Sequence, residues 1–186
     1  MGEITLTQMQ MDQVFQKVFR RIYGKPCWNL KVGHGSFLTF DFGRPHLVVR
    51  EPIRAGRNAS PKVREHLARR HVYACGEWHL WIRSCDWEVR FEGRHIGDGS
   101  TKRKARCAAE FLDGQKLIQF SISPRKVQST FVFDLGGVLK TSPYDKESEQ
   151  WLLFEPSNKV LALRADAHYR YALSDKHIDK GEWKPI

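Results

Sequence analysis

After Pro26 the apolar residues of this chain change period, and that change fixes the class of fold open to it. Before it, Met11, Val14, Phe15, Val18, Phe19 and Ile22 fall at three- and four-residue spacing and draw one apolar stripe. The spacing predicts a helix over Thr7 to Ile22, with Thr7 and Gln10 as a capping box and Gly24 followed by Pro26 as the stop. Beyond it the period is two. Trp28, Leu30 and Val32 alternate with polar residues, and after Gly33-His34-Gly35 the pattern resumes with Phe37, Leu38, Phe40 and Phe42. Gly43-Arg44-Pro45 reads as a turn into a strand from His46 to Arg50.

The same alternation returns along most of the chain. Trp78, Leu80 and Ile82 hold one parity and Trp87, Val89 and Phe91 the other, so the parity switches near Ser84-Cys85-Asp86 and predicts a hairpin there. Further strands are expected at Leu117 to Ile122, Gln128 to Leu135, Val138 to Thr141, Trp151 to Phe154, Val160 to Arg164 and Tyr169 to Leu173. Two more helices interrupt the strands. Ser60-Pro61 starts a thin-faced surface helix reaching about Arg69, after a loop from Glu51 to Ser60. A second loop, Gly93 to Thr101, leads into a helix capped by Ser100, with Ala105, Ala108, Ala109 and Leu112 on its buried stripe and Gly114 at its end. Links this short cannot make parallel crossovers, so the fold class is α+β: a mostly antiparallel sheet, as a sandwich or partly closed barrel, with an N-terminal and a mid-chain helix. One domain is expected over residues 1–173, followed by a polar C-terminal tail over 174–186.

Charge constrains the partners. Nine of the ten net positive charges lie in two stretches, Arg50 to Arg70, with seven basic residues against Glu51 and Glu65, and Lys102 to Arg106, with four basic residues and no acid. Clustering raises local potential and points to a polyanionic or acidic partner. The first stretch supplies Arg50, Arg54, Arg57, Lys62, Arg64, Arg69 and Arg70, and arginine suits bidentate contact with phosphate or carboxylate. The second opens a helix behind a glycine loop, where Ser100, Thr101, Lys102, Arg103, Lys104 and Arg106 sit beside free backbone N–H groups. Nucleic acid and an acidic protein, as in an immunity, inhibitor or defence-accessory factor, are the two partner types; a homo-oligomer is a third arrangement. No helix-turn-helix, zinc-finger or RNP pattern is present.

The chemistry-bearing residues are sparse. His34, Ser36, Asp41, Glu77 and His79 could serve an enzyme on a β-rich scaffold, but Ser36 lacks a GxSxG elbow and the triad geometry is not implied by sequence neighbours. The leading expectation is therefore a non-enzymatic binding protein with no catalytic residue. Cys75, Glu77, His79 and Cys85 are metal-ligating types, yet aromatic packing explains that segment without a metal, and no cofactor is expected. Four cysteines without a CxxC pair read as reduced, mostly buried thiols. No run of apolar residues reaches a membrane span, and the first residues lack a signal-peptide pattern, so a cytoplasmic location is expected.

The segments Gly33-His34-Gly35-Ser36-Phe37-Leu38-Thr39, Phe42-Gly43-Arg44-Pro45-His46-Leu47, Gly76-Glu77-Trp78-His79-Leu80 and Phe133-Asp134-Leu135-Gly136-Gly137 resemble a group of bacterial proteins that share them. The resemblance carries no activity and no assigned residues.

Overall fold

The computed structural model describes residues 6–33, 36–174 and 182–186, with side chains from residue 13 onward. Its elements run α1 (Leu6–Phe19), β1 (Cys27–Val32), β2 (Leu38–Arg50), α2 (Pro61–Leu67), β3 (His71–Ile82), β4 (Asp86–Phe91), β5 (Arg94–Asp98) and α3 (Lys102–Leu112). The second half is strands alone: β6 (Leu117–Ser123), β7 (Gln128–Phe133), β8 (Gly137–Ser142), β9 (Glu149–Phe154), β10 (Lys159–Arg164), β11 (His168–Leu173) and β12 (Lys184–Pro185). A seven-stranded sheet has the order β1-β2-β3-β9-β10-β11-β12 and a five-stranded sheet the order β5-β4-β8-β7-β6. All registered pairs are antiparallel and neither sheet closes into a barrel, so the α+β class stands as a two-sheet architecture.

One core joins both layers. Phe40, Trp78, Leu80 and Leu153 of the larger sheet, Val89, Phe131 and Leu139 of the smaller one, and residues of α1 and α3 form a single buried cluster. Within it Phe19 stacks on Phe120 with ring centroids 3.7 Å apart, and Trp151 meets Phe15, Phe19, Phe120 and Phe131 edge-on. The Trp151 indole N–H is satisfied by Ser129 Oγ at 2.9 Å, as a buried indole requires. The outer face of the larger sheet carries a smaller cluster, in which Trp81, Phe154 and Trp183 cover Leu152, Val160 and Ala162. Trp183 belongs to the polar stretch 174–186, whose last residues return to pair with β11 through β12.

Five local expectations change. The hairpin at Ser84 to Asp86 is instead a crossing between sheets, since β3 pairs with β2 and β9 while β4 pairs with β5 and β8. A strand that leaves one layer for the facing one must turn its other parity inward, which produces the same sequence signal as a tight turn. Gly43-Arg44-Pro45 is a bulge inside one continuous strand, not a turn, with register shifting between Phe42 and Pro45. The loop over Gly93 to Thr101 contains β5, and the cap of α3 is Thr101, whose side chain accepts from the Lys104 N–H. The first helix ends at Phe19 rather than Ile22, the chain continuing in turns with Ile22 still buried, and its capping box lies outside the described side chains. Among the described residues no helix is long and apolar enough to cross a membrane.

Candidate functional site: an exposed arm and a histidine cleft

Strands β2 and β3 stay paired from Leu38↔Ile82 to Arg50↔His71, with one register shift at the bulge between Phe42 and Pro45. The body of the protein underlies only the first half of this ribbon: no residue from 43 to 75 is buried. Along β3 the core-facing parity is Trp78, Leu80 and Ile82, and its continuation outward is Ala74 and Val72. Those two face Leu47 and Val49 across the ribbon. The parity that packs the core thus runs on with nothing to pack against, leaving Leu47, Val49 and Val72 at 72%, 52% and 59% exposure. Ile53 and Val63 at the tip are exposed as well.

The first basic cluster caps this arm. Ser60 Oγ accepts from the Val63 N–H and Pro61 sits in the first turn of α2, which has no buried residue. Arg50 and Arg64 donate to the carbonyls of His66 and Arg57 at 3.0 and 2.8 Å, Arg69 pairs with Glu65, and Arg70 with Glu51. Arg54, Arg57 and Lys62 have no side-chain partner among the described residues.

The second cluster lies elsewhere. Gly99 and Ser36 both meet Trp87, whose indole donates to Ser36 O at 2.5 Å, so the start of α3 sits beside the β1–β2 connection. Arg50 closes the opposite end of β2, 13 residues long, about 40 Å away at ~3.3 Å per residue. The two clusters do not form one surface. At the α3 start the backbone and hydroxyl donors of Ser100 are met by the chain's own Asp98, which Lys104 also approaches at 3.3 Å. Burial alone would raise the Asp98 carboxyl, but the hydrogen bonds from Ser100 and Lys104 outweigh it and hold the pKa down at about 2. Lys102, Arg103 and Arg106 remain solvent-facing.

The outer face of the larger sheet, at the root of the arm, holds a cleft of about 670 Å³. Asp41, fully buried, lies at its floor, registered directly opposite His79. Its carboxylate takes hydrogen bonds from Asn29 Nδ2 at 2.5 Å and from the Gly76 amide, and His79 Nδ1 lies 2.7 Å from Oδ1. Burial pushes the Asp41 pKa up, yet these hydrogen bonds and the His79 charge prevail and leave it below its ordinary value. Two bulges frame the pair. The β1 bulge puts Asn29 at φ 55°, a left-handed conformation that Asn tolerates, and the β2 bulge puts Gly43 at φ 80°, where an added Cβ would meet Glu77 Oε2 at 2.5 Å.

Of the residues considered for catalysis, Asp41, Glu77 and His79 therefore share one cleft. Ser36 lines a different one with Asp98 and Tyr144, and His34 lies outside the described residues. Cys75 also lines the cleft, its thiol pushed up by burial and by Asp41. Cys85 is buried at the sheet crossing, donating to Gln150 O, so the four metal-ligating types are split. Among the described residues no group of three or more His, Cys, Asp or Glu side chains is placed to hold a metal. Trp78 and Trp87 are core residues. Sequence reasoning missed Asn29 and Arg44; an Asn inside an alternating strand and a Gly-Arg-Pro step are signals of bulges as much as of turns. Cys27 and Cys85 are buried, Cys75 is half-buried and Cys107 is exposed. Comparison with protein-family models, curated proteins and solved structures gives no match.

Proposed function

We propose that the protein is a binding module whose β2–β3 arm docks on an acidic protein. The observation that carries this reading is the bare aliphatic face of the arm, Leu47, Val49 and Val72, beneath a tip bearing the free cations Arg54, Arg57 and Lys62. Aliphatic side chains gain nothing against phosphates, and Tyr73 alone offers an exposed aromatic on the ribbon, which favours a protein over a nucleic-acid strand. A second copy is a poor occupant, because two like-charged tips repel and this chain's acidic residues are not clustered to receive one.

A photocrosslinking residue in place of Ile53, introduced in the native host, tests the reading, beside DNA and RNA titrations across salt. The expected result is capture of a protein with an acidic contact surface, weakened at least tenfold by Leu47→Ser with Val72→Ser and by Arg54→Glu with Arg57→Glu. Salt-steep nucleic-acid binding that is lost with Arg54→Glu and Arg57→Glu yet ignores the Leu47 and Val72 changes would overturn it.

A further inference from the structure

The cleft at the root of the arm lies on the face opposite Leu47, Val49 and Val72, and its layout is chemical. His79 has Nδ1 on the buried Asp41, while its side chain is 37% exposed and Nε2 has no partner among the described residues. A carboxylate on one imidazole nitrogen with the other open to a cleft is the arrangement that orients a histidine for proton transfer. A second histidine lines the same cleft. His46 is registered to Cys75, four residues along β3 from His79, or about 13 Å at ~3.3 Å per residue. An in-line displacement at phosphorus needs a proton acceptor and a donor about 9–10 Å apart, counting a ~3 Å contact at each end. Both residues hold the parity of the ribbon that faces the cleft.

The cations are in the matching place. Arg44 occupies the β2 bulge, between Asp41 and His46, and Lys31 lies on the neighbouring strand; both line the cleft and neither has an ion pair within 4.0 Å among the described residues. The carboxylates of the rim are occupied: Glu155 by Arg21 and Tyr171, Glu77 by Lys25 and the Arg44 amide. Tyr73 and Phe154 supply aromatic walls of the kind on which bases stack.

We propose that this cleft cleaves a ribonucleotide phosphodiester without a metal, with His79 as base and His46 as acid. His79 Nε2 takes the proton of the 2′-hydroxyl as its oxygen bonds to phosphorus. The bond from phosphorus to the 5′-oxygen breaks, and that oxygen takes a proton from protonated His46. The products are a 2′,3′-cyclic phosphate and a free 5′-hydroxyl; nothing is oxidised or reduced, and solvent returns the proton from His79 to His46. Arg44 and Lys31 offset the charge gathering on the phosphoryl oxygens. Asp41 and Asn29 are positioning residues, acting through His79.

The test is cleavage of the dinucleotide uridylyl-adenosine in EDTA, followed by chromatography of the products, with circular dichroism as a check on folding. Formation of the cyclic phosphate is expected, with a bell-shaped pH dependence. His79→Gln and His46→Gln should each lower kcat at least 100-fold and each remove one limb of the bell. Arg44→Ala should act mainly on KM, and Asp41→Asn on kcat with a displaced acidic limb. No cleavage by the folded wild-type protein, or cleavage that survives His79→Gln, overturns the proposal. Leu47→Ser with Val72→Ser should leave cleavage intact, which separates this outcome from failure of the arm's reading.

Discussion

Asp98 shows how one side chain resolves the conflict created by four basic residues at the start of α3. Cations in a first helical turn oppose the helix dipole. Asp98 offsets this from outside the helix, accepting from Ser100 N–H at 2.9 Å and from Lys104 Nζ at 3.3 Å. Its pKa is depressed from 3.8 to about 2 on folding, so its contribution is complete above pH 3.8 and disappears as the pH falls through about 2. The carboxylate is 23% exposed, and solvent screening reduces the gain to about 1 kcal/mol. Asp98→Asn should therefore cost about that much at pH 7 and much less at pH 2, as urea titrations at the two pH values will read out. The glycine loop and its basic turn were visible in the sequence; that an internal carboxylate meets them was not, because Asp98 reaches the turn from the end of a strand read as loop.

At the scale of elements, the arm is separable. None of the residues from 43 to 75 contributes to the core, and Arg50 and His71 are already registered partners. Replacing residues 51–70 by Asn-Gly, which supports a two-residue hairpin turn, should leave the body folded, with a midpoint in thermal unfolding changed by no more than about 2–4 °C, the equivalent of ~1 kcal/mol. A larger fall would mean that α2 supports the body. The surface helix was legible from Ser60-Pro61 and its thin apolar face. The length of the ribbon was not, since a bulge and a turn share the residues Gly43-Arg44-Pro45. Pairing across the whole of β3 decides between them.

The whole molecule should unfold as one unit. The buried cluster takes side chains from both sheets and from α1 and α3, and no layer has a closed core of its own. Near-UV circular dichroism, reporting Trp78, Trp87 and Trp151, and far-UV circular dichroism, reporting the strands, should give coincident urea transitions. Separated transitions would divide the layers into independent units. The charge distribution also has meaning only at this scale. Two clusters that together hold nine of ten net charges read as one feature along the sequence, yet a strand of 13 residues separates them.

Local chemistry alone determined much of this protein. The switch of apolar period after Pro26 set helix against strand, short links forced antiparallel pairing, and the alanine stripe with Leu112 marked the buried face of α3. These depend on residues adjacent along the chain or one turn apart, so the sequence carries them directly. Tertiary structure decided the rest. It sent β3 and β4 to different sheets, left the outer half of β2 and β3 without a partner layer, and brought Asn29, Asp41 and His79 from three strands onto one carboxylate. Each of these depends on which strands become neighbours, a choice made by the energy of the whole packed core rather than by any segment within it.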